Sequence, residues 1–307
     1  MSRRPPQAGR RPGARSERGT AAERRHARLE RAASFVRRPF ADREDEADLV
    51  ALREVVPSAT APLTLTAQGA ALAADRSVTL ATVLPAAWPA MVRRDGAVVL
   101  ALQTAARGGD LARDFGQALA AALVSEPGTA VTGLGEPAAE DPRLQDLITA
   151  EPLAVTIHGG FDWWVADADA GALAGDVAAS LEKANASVVP TARLASVDAA
   201  YWCRIGDRCH LRWALREDEE PLLDALARLH VAGSLGLGPG TRYVGAFRAC
   251  GLVVPVWDLP VEAEAADVEG PAAGFRSALD EALSGGPLTP EQRRARAGVV
   301  SRQVTLR

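Results

Sequence analysis

Apolar residues recur at helical spacing at Leu49, Leu52 and Val56 in DREDEADLVALREVV, where an acidic first turn predicts a helix start and Pro57 its end. PLTLT and VTLATVLP then read as strands, and AMVRRDGAVVLALQ as a hairpin whose Asp95-Gly96 suits a type I′ turn. DLARDFGQALAAALV carries one apolar stripe, Leu111, Phe115, Ala118, Ala122 and Leu123, behind Asp110 as N-cap. A strand near TAVTGL follows, then a short helix with Asp141 as cap and Pro142 at its first position. LAVTIHGGFDWWV closes this half as an extended segment.

The second half reads helix (GDVAASLEKANAS), strand (VPTARLA), hairpin (AAYWCRIGDRCHLRWAL) and helix (EDEEPLLDALARLHVAG). Two strands in RYVGAFRACGLVVPVWDLP, turning near Gly251, precede helices at PAAGFRSALDEALSG and, with Thr289 as cap and Pro290 first, at TPEQRRARAG. This order is topologically similar to small secretion-chaperone-like modules. Shifted by 111 residues, the Asp95-Gly96 turn falls on Gly206-Asp207, and Leu111 and Phe115 fall on Leu222 and Leu226. A weak repeat of strand, hairpin, helix and strand is expected to relate the halves, with few identical residues; the alternative is the patterning that any αβ sandwich needs. The expected fold is α+β: a disordered basic arm over residues 1–40, then two related modules, 41–168 and 169–307, each a mainly antiparallel sheet with helices packed on it.

Charge divides the chain differently. The net charge of −4 combines residues 1–38, with twelve arginines against three glutamates (+9), and a remainder at −13. The arm is too poor in bulky apolar residues to offset its ordering entropy. Arg10, Arg11, Arg24, Arg25, Arg28 and Arg31 are its candidate contacts with RNA or the ribosome, through phosphate neutralisation. No apolar run reaches membrane-spanning length, the start lacks a secretory core, and three cysteines are too few for a disulfide framework. A cytoplasmic setting is expected.

The hairpin at 199–215 concentrates Cys203, Cys209, His210, Trp202 and Trp213. A two-residue turn at Gly206-Asp207 pairs Ile205 with Arg208, Cys203 with His210, and Trp202 with Leu211. Trp202, Cys209, Leu211, Trp213 and Leu215 then share one face, and Tyr201, Cys203, Ile205, Arg208, His210 and Arg212 the other. The cysteines point apart, so neither a disulfide nor a shared metal is expected, and Cys203 beside His210 is the pair to inspect. A three-residue turn would reverse that.

Other motifs lose their chemistry in context. HGGF (158–161) and AGSLG (232–236) resemble parts of an esterase site, yet every histidine precedes Ser234 and AGSLG follows a helix. GLGPGTR (236–242) also follows a helix, and Pro239 removes a donor from any phosphate cradle. FDWWVADAD leaves a candidate binding surface of His158, Asp162, Trp163 and Trp164, for a cation, a sugar or a basic peptide. The plainer reading is one buried and one rim indole with solvated acids.

The segments DLVALREVVPSATAPLTL, SVTLATVLPAAWPA, VDAAYWC, HLRW, LLDALARLH, VPVWDLP and SRQVTLR, in this order, resemble an actinobacterial family of uncharacterised proteins, a domain of unknown function, over roughly residues 38–307. Many of its members begin with a zinc-binding SEC-C motif like that ending the SecA translocation ATPase and are labelled SecA-like. Here no cysteine precedes Cys203, so neither that zinc nor contacts made through it carry over, and the resemblance supplies no catalytic residue. The expectation is a non-enzymatic, chaperone- or adaptor-like protein-interaction protein without cofactor or metal. The alternatives are RNA or ribosome association through the arm, and an enzyme with a site near His158 and Asp162.

Overall fold

The computed structural model describes residues 35–73, 75–82, 88–164 and 175–301. The arm arginines singled out above, and Asp167 and Asp169, lie outside these. The fold is α+β, with two sheets and helices on each.

Helix α1 (Glu46–Glu54) leads into β1 (Ala59–Leu63), α2 (Ala67–Leu72), β2 (Val78–Ala81), β3 (Ala90–Val92), β4 (Val98–Ala101), α3 (Leu111–Leu123), β5 (Ala130–Val131), α4 (Leu144–Leu147) and β6 (Thr156–Ile157). These strands form a six-stranded sheet in the order β5-β3-β4-β2-β1-β6, antiparallel except for β2 beside β4. After α5 (Gly175–Ala186), β7 (Thr191–Arg193), β8 (Ala200–Ile205), β9 (Arg208–Trp213), β10 (Arg242–Ala249) and β11 (Leu252–Leu259) form an antiparallel sheet in the order β10-β11-β9-β8-β7. Helix α6 (Glu219–Val231) separates β9 from β10, and α7 (Ala265–Leu283) and α8 (Pro290–Ser301) end the described chain. Each sheet holds a hairpin followed by a helix and a strand. In the first sheet that strand, β5, pairs with the hairpin's first strand, whereas in the second, β10 reaches the hairpin only through β11.

Several sequence expectations are met by specific bonds. Asp110 accepts from the Ala112 amide (3.1 Å), and Thr289 with Gln292 forms a reciprocal capping box (3.2 and 2.9 Å). Others are corrected. The 90–101 hairpin does not use a type I′ turn: only Gly96 has positive φ (+91°), and Gly96 N–H donates to the Arg93 carbonyl (3.0 Å), a type I turn closed by a left-handed glycine. Asp141 is not a helix cap, because its carboxylate is taken by Ala138 N–H and Gln117, and α4 starts at Leu144. Helix α7 begins at Ala265, not Pro271, since Glu264 and Asp267 make a capping box upstream; Pro271 lies inside it. Helix α2, capped by Thr66, was not expected at all.

The last six residues of the expected arm belong to the folded body. Phe40 is fully buried and stacks on Phe115 (centroids 6.1 Å apart), and Val36 N–H donates to the Gly109 carbonyl (2.8 Å). Phe40 supplies the apolar anchor that the rest of the arm lacks.

Helix α1 sits at the centre, buried from Glu46 through Leu52. One contiguous core joins it to the inner face of the first sheet (Leu80, Leu100), to Phe115 and Leu119 of α3, and to Tyr201, Leu252 and Val254 of the second sheet. A separate core on the other face of the second sheet packs Trp202, Leu211, Trp213 and Trp257 against α6, α7 and Val299 of α8.

Candidate functional site

The hairpin at 199–215 has the two-residue register: Ile205 opposite Arg208, Cys203 opposite His210, Trp202 opposite Leu211. Gly206 supplies the single positive φ (+60°) of a II′ turn. The Trp202, Cys209, Leu211, Trp213 and Leu215 face is buried in the helix-side core, and Cys203 points the other way. Cys203 and His210 are members of a row that crosses the whole sheet, Thr191, Cys203, His210, Asp258 and Arg242 on five successive strands.

Cysteine, histidine and aspartate in that order mimic a nucleophile, its base and the group that orients the base. His210 Nδ1 does lie 3.1 Å from an Asp258 oxygen. Cys203, however, is 1% exposed, and burial pushes its thiol up more than nearby Arg212 lowers it. Burial also holds His210 below the ordinary imidazole range despite Asp258. A protonated, inaccessible thiol is no nucleophile; the row is a cross-strand ladder.

His158, Asp162, Trp163 and Trp164 come together at the β6 end of the first sheet. The His158 Nε2 is 2.8 Å from Thr60 Oγ1, and its ring stacks on Trp163 with centroids 5.5 Å apart. Trp163 Nε1–H donates to Ser58 Oγ (3.0 Å), which donates to the Gly160 carbonyl (2.7 Å). Asn185 of α5 ties in Asp162 (3.2 Å) and accepts from Phe161 N–H (2.6 Å). A Cβ on Gly160 would sit 2.8 Å from the Asn185 Oδ1, so the second glycine of HGGF serves close packing. Both indoles are half-buried over Met91, Val99 and Ala101; the buried ring of the segment is Phe161. Burial lowers the His158 pKa. Among the described residues, no three His, Cys, Asp or Glu side chains group as metal ligands.

A family model described as a family of unknown function, DUF5926, matches residues 39–307. The chain belongs to that family. No curated protein and no solved structure matches. The family match begins one residue before Phe40, the first residue among those described whose side chain is fully buried in the hydrophobic core.

Of the six candidate binding residues, His158, Asp162, Trp163, Trp164, Cys203 and His210, only His158 lines the cleft between the two sheets. That cleft, about 570 Å³, is walled by Val155, Ile157 and His158 on one side and Val188, Pro190, Arg193 and Trp202 on the other. Pairing parity shows which backbone groups face it. Leu194 N–H donates to the Ala200 carbonyl and Arg204 N–H to the Pro190 carbonyl, so Ala192 also bonds β8, while Thr191 and Arg193 turn their amides and carbonyls outward. On β6, the His158 bond to Ser58 likewise leaves Ile157 turned away from β1.

Two charged centres escaped the sequence reading. Three of the five acids of DREDEADLV are buried and paired: Asp45 with Arg43 (2.7 Å), Glu46 with Arg38 (2.6 Å), and Asp48 with both Arg193 (3.1 Å) and the Tyr201 hydroxyl (3.1 Å). The acids at 217–220 pair in turn with Arg276 (2.9 Å), Arg38 (2.7 Å), Arg37 and Arg248 together, and Arg296 (2.5 Å). The sequence signal was the density of acids beside strongly apolar helices.

Proposed function

We propose that the protein is a non-enzymatic, cytoplasmic interaction protein that binds an extended segment of a protein partner along the outer edge of β7. The observation that carries this is the cleft beside β7, where the Thr191 and Arg193 backbone groups have no protein partner among the described residues. An added strand would satisfy those groups, and the apolar wall of Val155, Ile157, Val188 and Pro190 would receive its alternate side chains. Cα atoms of β6 and β7 approach within 8 Å. Seating a strand between the two edges needs about 9.6 Å, twice the inter-strand spacing, so binding along β7 requires the edges to part by at least about 1.6 Å where they approach.

Thr191→Pro tests this, because it removes an outward amide while leaving the Ala192 bonds to β8 intact. Against an array of short peptides, the wild-type chain is expected to retain a subset that Thr191→Pro loses, with unchanged thermal stability. Equal retention by both, or none by the wild type, would refute the reading.

The +9 charge of residues 1–38 supports a second activity, association with RNA or the ribosome through the arm. RNA affinity is expected to fall steeply with salt and to vanish on deletion of residues 1–34. Salt-independent binding would refute it.

A further inference from the structure

The second sheet has two outer edges, β7 and β10. Among the described residues, β11 is the only strand beside β10. Pairing parity again shows which groups face outward. Leu215 N–H donates to the Val253 carbonyl (3.3 Å), so Val253 and, two residues on, Pro255 turn toward β9. Their partners on β10, Arg248 and Ala246, therefore turn their amides and carbonyls away from β11. Neither backbone has a partner among the described residues, and the bulge between Tyr243 and Gly245 limits the regular open edge to residues 245–249.

Helix α8 delivers the chain to this edge. Arg228, late in α6, holds the Gly285 and Gly286 carbonyls before α8 begins, and Arg296 within α8 binds Glu220 and Asp224 (2.5 and 2.7 Å). The two helices therefore run antiparallel, and α8 ends beside the first turn of α6. There Glu219 accepts from Arg248 of β10 (2.8 Å). Val299 is buried in the helix-side core with Tyr243, and Cα atoms of α8 and β10 approach within 8 Å. The described chain thus reaches Ser301 at the Arg248 end of the open edge.

Six residues follow, RQVTLR, 302–307. Extended, they span up to about 20 Å. Val304 and Leu306 alternate with Gln303, Thr305 and Arg307, and neither proline nor glycine interrupts them. They carry two arginines and no acid, and they leave α8 beside the acids of 217–220. We propose that this segment folds back along β10, residues 304–307 forming an antiparallel sixth strand of the second sheet. With Arg302 and Gln303 as the link, Val304 falls opposite Arg248 and Leu306 opposite Ala246. Both are then hydrogen-bonded pairs, which answers all four outward groups. Opposite residues share a face, and Ala246 packs on the helix-side core, so Val304 and Leu306 lie on the side where Val300 also packs. Thr305 turns its amide to solvent. The docking is independent of the β7 cleft.

Hydrogen exchange of the full chain, read at single amides by NMR with light scattering alongside, tests this. The Ala246 and Arg248 amides are expected to exchange at least about tenfold more slowly in the wild type than after deletion of residues 302–307. Leu306→Pro, which removes the donor opposite Ala246, is expected to undo the protection as the deletion does. Thr305→Pro, whose amide faces solvent, is expected to keep it. Equally fast exchange with and without residues 302–307 would overturn the proposal. Protection that survives the deletion would overturn it too, and a dimer by light scattering would then assign the edge to a second copy of the chain. Release by Thr305→Pro but not by Leu306→Pro would overturn the register.

Discussion

Removing the Tyr201 hydroxyl tests whether the junction between the two sheets is held by the Asp48 cluster. Tyr201 is fully buried, and its hydroxyl donates to Asp48 Oδ1 at 3.1 Å, while Arg193 clasps both oxygens of the same carboxylate at 3.2 and 3.1 Å. Burial, reinforced by Asp48, drives the phenol pKa far above its ordinary value, so the hydroxyl stays a donor throughout the working pH range. A hydrogen bond to a charged acceptor contributes about 1.5–3 kcal/mol. Tyr201→Phe keeps the packing and removes only that bond, so a loss of about 2 kcal/mol is expected in urea unfolding, seen as a lower midpoint at unchanged slope. The Arg193 bond is worth less, because its side chain is 26% exposed and partly screened. In an Asp48→Ala background the acceptor is already gone, and Tyr201→Phe should cost less than about 0.5 kcal/mol, a coupling that a double-mutant cycle measures directly. The contiguous core around α1 further predicts a single transition. Equal costs of Tyr201→Phe in both backgrounds would refute the role assigned to Asp48.

Three further outcomes are expected. Gly251 has φ +83°, and a Cβ there would lie 2.7 Å from the Arg37 carbonyl oxygen, so Gly251→Ala should lower stability by at least about 1–2 kcal/mol in the same denaturation assay. His158 and His210 both have pKa values lowered by burial, so folding disfavours their protonation. Stability should be fully present above the unfolded imidazole pKa and decline as the pH falls through it, and replacing both by Gln should flatten the decline between about pH 7 and 5. Burial raises all three thiols, Cys250 to about 11, so native iodoacetamide labelling at about pH 8 should be slow and oxidation should give no Cys203–Cys209 disulfide by mass spectrometry.

Much of the fold was legible because period and turn chemistry are local. The alternation of Trp202, Leu211 and Trp213 about Gly206-Asp207 set both the faces and the register, since a glycine at the first turn position admits a two-residue loop. The Asp110 and Thr289 caps were legible for the same reason. The Asp95-Gly96 turn misled because that dipeptide also fits a three-residue loop, where Asp95 accepts the Ala97 amide (2.9 Å) and only glycine is left-handed. Helix α2 was missed because AQGAAL has almost no apolar periodicity and is placed by contact: a Cβ on its Gly69 would lie 2.3 Å from the Leu147 carbonyl oxygen. Of the candidate binding residues, spacing alone brought His158 and Trp163 together, but nothing local showed that Thr60 and Ser58 would engage them.

Charge was the least legible layer, for a physical reason. An acid in the first turn of a helix is favourable whether it faces solvent or another chain segment, so the pattern DREDEADLV predicts a helix start and is silent about burial. Burial became affordable only because arginines arrive from other elements: Arg38 from the segment before α1 for Glu46, and Arg193 from β7 for Asp48. The same holds at 217–220, where helix α6 begins with acids that take arginines from the amino-terminal segment, β10, α7 and α8. All of these pairs except Arg38 with Glu46, eight residues apart, join residues far apart in the chain, and such a partner is set by tertiary proximity, which no local spacing encodes. A chain with 34 arginines and one lysine can build such junctions because the planar guanidinium clasps a carboxylate in two places, as Arg38 does on Glu46 and Arg43 on Asp45. The arginine bias, which looks compositional in the sequence, is therefore structural at the positions where the two halves meet, and lysine at Arg38 or Arg193 would not preserve the junction.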